Sequence, residues 1–174
     1  MKETGLNFLS TDKKENVEEA VANYIQSIDF HIITKDFLRP WGGFFVLDEG
    51  QAEKFITVFF PELKEGEVDY KNKLSPKILV VAPGKRLSWQ YHHRRSEIWK
   101  LIGGTGAVGL SDTDEEKEVN VLQKNKIITL DKGQRHRLIG TETWGIVAEI
   151  WNHTDSQNPS NEDDIVRVQD DFGR

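Results

Sequence analysis

The sequence predicts an all-β protein, a sandwich or small jelly-roll barrel, preceded by one short helix. Most of the chain consists of short runs of β-branched and aromatic residues that alternate with polar ones, and turn-forming residues separate these runs. Only one segment shows the three- and four-residue spacing that is typical of an amphipathic helix. A length of 174 residues suits a single compact domain.

The helix is predicted over residues 16–27. Its apolar side chains recur at the intervals that one buried helix face requires, at Val17, Val21, Tyr24, Ile25 and Ile28.

Eight segments are predicted to be strands because their apolar residues recur with a period of two. They are residues 44–47, 55–60, 77–82, 98–102, 107–110, 119–122, 126–130 and 144–151. Turns such as Pro83-Gly84 and Asp131-Lys132-Gly133 separate them. Many short strands at this spacing are typical of a barrel that can enclose a site.

Composition excludes several classes of function. The chain has no cysteine, so disulfides, thiolate metal sites and a cysteine nucleophile are excluded. Its net charge is −6 and it has no long basic run, so we expect no nucleic-acid partner. The first twenty residues contain no long apolar run. We therefore expect no signal peptide, no membrane partner and a cytoplasmic location.

A group of polar side chains has a spacing that suits a metal site. Gln90 and His92 share one face of a strand, Glu97 begins the next strand, and His136 follows a later turn. Two imidazoles, a carboxylate and an amide oxygen would form a nitrogen and oxygen site for a divalent cation with an open position. The alternative is that His92 and Glu97 form an ordinary hydrogen-bonded pair and that His136 is unrelated to them.

This spacing resembles the two cupin motifs, with Gln90 where many cupins have the first histidine. More narrowly, the chain resembles the C-terminal cupin domain of type II phosphomannose isomerases. The similarity covers residues 39–174 and rests on five blocks that occur in order: RPWG at 39–42, LSWQYHHRRSEIW at 87–99, GQRHRL at 133–138, EDDIVR at 162–167 and DDFGR at 170–174.

The resemblance implies a cupin-type double-stranded β-helix over residues 39–174, with residues 1–38 as an N-terminal extension. It also implies that one divalent metal ion, Zn, Mn, Fe, Co or Ni, is held by Gln90, His92, Glu97 and His136. Arg95 matches an arginine that acts at the isomerase site. The chain departs from the family at Ile98, where a histidine usually follows the motif glutamate.

The implied activity is the isomerisation of a sugar phosphate, of the mannose 6-phosphate to fructose 6-phosphate type. The strand period places Arg86 and Ser88 on the face of Gln90 and His92, so we expect both to contact the substrate. Arg167, in the matching tail, is expected to reach the mouth of the pocket. The alternative for the arginines near the motifs is that surface carboxylates pair with them.

The isomerase hypothesis also needs a general base, and Glu149 is the candidate because it lies on a strand that could line the barrel. A salt-bridged or exposed glutamate is the alternative. Two other functions stay open. His92, Glu97 and His136 would suit an Fe(II) oxygenase, and a non-catalytic sugar-binding cupin would keep only the pocket. Edge strands further suggest a homodimer.

Overall fold

The computed structural model describes residues 5–64 and 66–173, and within these residues the chain forms two α-helices and eleven β-strands. The helices are α1 (Lys14–Ser27) and α2 (Ala52–Phe59). The strands are β1 (Ile32–Asp36), β2 (Gly42–Leu47), β3 (Lys77–Val81), β4 (Trp89–His92), β5 (Arg95–Gly103), β6 (Gly106–Ser111), β7 (Glu118–Val121), β8 (Ile127–Leu130), β9 (Arg135–Gly140), β10 (Gly145–His153) and β11 (Ile165–Gln169).

The strands form two antiparallel sheets, which confirms the predicted jelly-roll barrel of cupin type. The first sheet has six strands in the order β1-β2-β3-β10-β5-β8, and the second has five in the order β11-β4-β9-β6-β7. Leu79, Trp99 and Val147 of the first sheet pack with Val108 and Leu138 of the second. This core between the sheets supports the cavity described below.

The six-stranded sheet is also covered on its outer face. Alternate residues of β5 and β10, such as Ile98 and Ile150, pack there with Val21 of α1 and Phe55 of α2. Because successive strand residues point to opposite faces, the others, including Glu97, point into the barrel. Burial of both faces explains why β5 and β10 contain so few exposed residues.

The predicted helix is confirmed, with Val17, Val21 and Ile25 on its buried face. The prediction of a strand at 55–60 is wrong, because these residues lie in and directly after α2. Phe55, Ile56 and Phe59 of α2 are all buried. Phe59 follows Phe55 by four residues and Ile56 by three, and both spacings place side chains on the same face of a helix.

The sequence prediction missed strands β1 and β11. Strands β4 and β9 lie outside the eight predicted segments, although Gln90 and His92 were expected on a strand and His136 after a turn. Among the described residues of 1–38, those of β1 pair with β2 and extend the six-stranded sheet. At the other end of the chain, β11 pairs with β4 and so brings the tail to the edge of the five-stranded sheet. In the described part of the chain, no helix has the length and apolar character needed to cross a membrane.

Candidate functional site

Three buried side chains with metal-ligating atoms converge between the sheets. His92 and His136 come from the five-stranded sheet, and Glu97 comes from the six-stranded sheet. Nε2 of His92 lies 3.1 Å from Glu97 Oε1, and Nε2 of His136 lies 3.4 Å from Glu97 Oε2. The ligand atoms of the three residues all lie within 4.8 Å of one another. The structure therefore brings together three of the four predicted ligand residues.

Strand pairing accounts for this convergence. Gln90 is the register partner of His136 where β4 and β9 meet. His92 is two residues further along β4, so it points to the same side as Gln90. Glu97 is the register partner of Trp151 on β10 and points into the barrel from the opposite sheet.

The surroundings of both imidazoles favour the tautomer that can bind a metal through Nε2. Nδ1 of His136 lies 2.9 Å from the carbonyl oxygen of Gln134, and Nδ1 of His92 lies 3.4 Å from that of Asp164. A carbonyl oxygen only accepts hydrogen bonds, so we assign the proton to Nδ1 in both rings. The Nε2 lone pair of His136 then faces Glu97, whereas that of His92 also lies 3.2 Å from Nη2 of Arg95, from which it can accept a hydrogen bond.

The residues fit a divalent cation. Glu97 Oε2 and His136 Nε2 are buried, and neither has a hydrogen-bond partner among the described residues. Both atoms carry lone pairs, and a buried acceptor without a partner costs about 1–3 kcal/mol. A cation between these atoms would satisfy both, and two imidazole nitrogens with a carboxylate oxygen form a donor set that transition metals prefer.

The charge states also suit metal binding. Burial alone would raise the pKa of Glu97, but its interactions with His92 and with the cationic Arg95 outweigh burial and hold the pKa well below 4.5. Burial lowers the pKa of His92 below its usual value. An ionised carboxylate and a neutral imidazole are the forms that coordinate a metal.

Arg95 is almost completely buried beside the cluster, at 1% exposure. Its Nε donates a 2.8 Å hydrogen bond to Glu97 Oε1, and its Nη1 donates to Ser160 Oγ at 2.8 Å. Its guanidinium also stacks on Trp151, 3.5 Å from the ring centroid. These contacts hold one oxygen of Glu97 and leave Oε2 directed at His136.

Gln90 and Ser88 both line a cavity between the sheets that Arg95 and Glu97 also line. Oε1 of Gln90 accepts a 2.6 Å hydrogen bond from Ser88 Oγ. This contact holds the amide oxygen beside the cluster, within the wall that β4 and its preceding residues form. A ligand role for Gln90 stays a prediction.

Glu149 lies in the cavity as a buried carboxyl group, at 4% exposure. Burial, together with the negative charge of Glu97, raises its pKa to about 8. Trp99 Nε1 donates a 2.9 Å hydrogen bond to Glu149 Oε1. The predicted base candidate is therefore neither exposed nor locked in a salt bridge with a described residue.

Arg86 does not lie where the strand period predicted. It is absent from the described residues that line the cavity, and its guanidinium instead makes two hydrogen bonds to Asp171, at 2.6 and 2.9 Å. The reason is local, because β4 begins only at Trp89 and Arg86 makes an isolated bridge to Ile139. Arg167, by contrast, lines the cavity from β11.

Several cavity residues carry charge or hydrogen-bond donors that sequence reasoning missed. Lys77 of β3 and Glu162 line the wall, together with Arg39 and Trp151. The alternation of side chains along β3 could have identified Lys77 as a cavity residue, because Lys77 lies on the same face of the strand as Leu79. For Glu162 and Arg39 no such signal exists, since both lie outside the strands.

Ile98, where the resembled family has a histidine, lies outside the cavity. It packs in the core between the six-stranded sheet and the helices. Its neighbour Glu97 points to the opposite side of β5. This departure from the family motif therefore leaves the cluster unchanged.

A cupin-type barrel with a buried His-Glu-His cluster defines the class of the protein, and comparison with known families identifies the group within it. The family model described as "Mannose-6-phosphate isomerase C-terminal" matches residues 51–170. The chain belongs to this family. A sugar-phosphate-related cupin domain is therefore established.

Two curated relatives illustrate the similarity. A mannose-1-phosphate guanylyltransferase of Salmonella montevideo is 28% identical over 144 residues, which cover 83% of this chain and 24% of the relative. The xanthan biosynthesis protein XanB of Xanthomonas campestris pv. campestris is 31% identical over 136 residues, 78% of this chain and 23% of XanB. The chain thus spans about a quarter of the length of these relatives.

Among solved structures, the capsular polysaccharide assembling protein CapF of Staphylococcus aureus shares the fold. The superposition has a TM-score of 0.52 and 12% sequence identity, and it covers 88% of this chain and 36% of CapF. At this identity the likeness concerns the fold alone.

Proposed function

We propose that the protein is a metal-dependent aldose–ketose isomerase that interconverts mannose 6-phosphate and fructose 6-phosphate. One observation carries the proposal: His92, Glu97 and His136 form a buried cluster in which Glu97 Oε2 and His136 Nε2 have no hydrogen-bond partner among the described residues, and Glu97 lines the same cavity as Glu149. Isomerisation needs a means of stabilising negative charge on sugar oxygens and a group that moves a proton between carbons. Membership of the family supports the choice of a sugar phosphate as substrate.

In this proposal His92, Glu97 and His136 hold one divalent ion, and Gln90 is the candidate for a fourth ligand through its amide oxygen. When bound, the ion supplies stabilisation of the negative charge that develops on the oxygens of the open-chain sugar. Its identity is Zn, Mn, Fe, Co or Ni, because this donor set suits all of them.

Glu149 acts as the proton-transfer residue. It takes the proton from C2 of the aldose and returns it to C1, while the proton of the C2 hydroxyl group passes to the oxygen on C1, which yields the ketose. The reverse transfers convert the ketose to the aldose. In the metal-free protein the pKa of Glu149 is about 8, and a bound cation would lower it toward neutral pH, where a general base works best. The indole N–H of Trp99 holds the carboxyl in place.

The other predicted residues have supporting roles. Arg95 holds Oε1 of Glu97 and so orients the carboxylate. Ser88 and Arg167 line the cavity from the side of the five-stranded sheet, and in this proposal they contact hydroxyl groups of the substrate. Arg86 is not part of this proposal, because Asp171 engages its guanidinium.

The test is an isomerase assay on protein that is loaded separately with each candidate metal. We expect interconversion of the two hexose phosphates, and we expect Glu149→Gln to reduce kcat by about 10²- to 10⁴-fold while the metal content is retained. The matched control is Glu142→Gln, because Glu142 is an exposed glutamate near the start of β10. Metal-loaded protein that interconverts no hexose or heptose phosphate would contradict the proposal.

A second candidate is an Fe(II)-dependent oxygenase, which the two-histidine, one-carboxylate set favours. Oxygen uptake by iron-loaded protein, with no isomerase activity, would support it. The third candidate is a non-catalytic sugar-binding cupin. Binding of the sugar phosphate without turnover under any metal would support that function instead.

A further inference from the structure

The cavity that Glu97 and Glu149 line is too small for the whole of a hexose phosphate. Its volume is about 70 Å³, whereas pockets that enclose small ligands measure about 300–1,000 Å³. A second groove, of about 490 Å³, lies next to it. Lys77, Trp151 and Glu162 line both spaces. A hexose phosphate that extends from the inner cavity into this groove therefore passes these three residues.

An ion pair stands at this boundary. Lys77 Nζ lies 3.1 Å from Glu162 Oε1, and the lysine side chain is 9% exposed, whereas that of Glu162 is 59% exposed. The ammonium group also lies over Trp151, 3.5 Å from its ring centroid. Lys77 is thus a nearly buried cation whose carboxylate partner is at the surface and can move away from it.

Unpartnered donors lie near the same boundary. The indole nitrogens of Trp151 and Trp41 are buried and have no hydrogen-bond partner among the described residues. Both tryptophans line the inner cavity. A buried donor without a partner is rare in folded proteins and indicates that an acceptor is supplied by something else. An oxygen-rich ligand such as a sugar phosphate would supply it.

We propose that Lys77 forms the phosphate subsite and that Glu162 occupies it when no substrate is bound. The phosphate displaces the Glu162 carboxylate from Lys77, and the sugar then extends from the outer groove into the metal cavity. Phosphate can replace a carboxylate here because it offers more charge and several acceptor oxygens to the ammonium group. The identity of the sugar rests on the proposed function, but the anion subsite does not depend on turnover.

The test measures binding of inorganic phosphate to the chelator-treated 174-residue chain by calorimetry. Lys77→Met should weaken binding by about tenfold or more, because it removes a charge-assisted hydrogen bond. Glu162→Gln should tighten binding by about two- to fivefold, because it removes a partly exposed competitor.

The matched controls should bind phosphate as the wild type does. Asp163→Asn removes a neighbouring exposed charge, and Lys132→Met removes an exposed lysine in a turn. Wild-type affinity in Lys77→Met, or no tightening in Glu162→Gln, would overturn the proposal. So would a loss of binding in Arg167→Met that Lys77→Met does not share. If Lys77→Met does not fold, the Glu162→Gln result decides.

Activity measurements separate the subsite from the proposed function. If the wild type shows no isomerase turnover but phosphate binding depends on Lys77 and Glu162, the isomerase proposal fails and the subsite stands. If turnover occurs and Lys77→Met leaves the KM for mannose 6-phosphate unchanged, the subsite proposal fails and the isomerase stands.

Discussion

Trp99 Nε1 donates a 2.9 Å hydrogen bond to Glu149 Oε1, and the two residues are register partners in the pairing of β5 with β10. Burial and the nearby charge of Glu97 together raise the pKa of Glu149 to about 8. The Trp99 hydrogen bond acts in the opposite direction, because it favours the ionised carboxylate. The indole is therefore a group through which the proton affinity of Glu149 can be changed.

Substitution of Trp99 by Phe removes this hydrogen bond and keeps most of the aromatic bulk. The pKa of Glu149 should rise, because one group that favours the ionised form is lost. If Glu149 must be ionised to take a proton, the rising limb of the pH profile of kcat/KM should move to higher pH. The measurement is the pH–rate profile of the metal-loaded variant.

Trp144→Phe is the matched control for this shift. Trp144 is also a buried tryptophan, but its Nε1 donates to the backbone oxygen of Asp12, outside the cavity. Its variant should keep the wild-type profile even if its stability falls. A Trp99→Phe profile that does not move, or moves to lower pH, would contradict the assignment of Glu149 as the proton-transfer residue.

Glu149 should also make the stability of the metal-free protein depend on pH. Its pKa is 4.5 in the unfolded reference and about 8 in the folded protein, so the folded state binds the proton more tightly between these values. Stability is then lost as pH rises through this range. Glu149→Gln removes this loss. From pH 5 to pH 8, the free energy of unfolding of the variant should therefore rise by roughly 2–4 kcal/mol relative to that of the wild type.

The measurement is urea unfolding at several pH values in the presence of a chelator, because a bound metal would alter the charge around Glu149. Glu142→Gln is the control, since this exposed residue should leave the pH dependence parallel to that of the wild type. A difference between Glu149→Gln and wild type that stays constant from pH 5 to pH 8 would show that Glu149 is not protonated in the folded state.

The histidine and carboxylate cluster could be predicted because most of its geometry is local. Gln90 and His92 share a face within one strand, and Glu97 opens the strand that follows. Alternation therefore determines where these side chains point. Arg86 shows the limit of this reasoning, because the chain between it and β4 is not a strand and the alternation does not extend that far.

Other features depend on contacts that spacing along the chain does not encode. Residues 55–60 have a strand-like composition, but burial of Phe55, Ile56 and Phe59 against the outer face of the sheet is achieved by a helix. Likewise, Lys77 and Glu149 become neighbours only through the register of β3 with β10. Register between distant strands is set by tertiary packing, so a single sequence leaves it open.

Metal binding should depend on His136 and not on the exposed His93. For the wild type, a saturating divalent ion at about 100 times its Kd should add about 2.7 kcal/mol of stability, which raises Tm by about 5–10 °C for a protein of this size. His136→Gln should lose most of this increase, because one of the converging ligands is removed. Thermal unfolding with and without metal, together with elemental analysis, measures both effects.

His93→Gln is the matched control, because His93 is exposed and contacts Tyr91 edge to face. It should retain the metal-dependent increase in Tm and the metal content. An equal loss in both variants, or an unchanged increase in His136→Gln, would contradict the assignment of the cluster as the metal site.

Two glycines with similar backbone conformations should respond differently to substitution by alanine. Gly104 has a φ of +64°, and a Cβ there would lie 1.7 Å from the carbonyl oxygen of Trp144, whereas Gly133, at +81°, has nothing within 4 Å. Gly133→Ala should cost about 1–2 kcal/mol, which is the penalty of the left-handed conformation alone. Gly104→Ala should cost about 3 kcal/mol or more, because the backbone between β5 and β6 must also move. Urea unfolding of both variants measures the difference, and equal costs would show that the close approach to Trp144 does not constrain this turn.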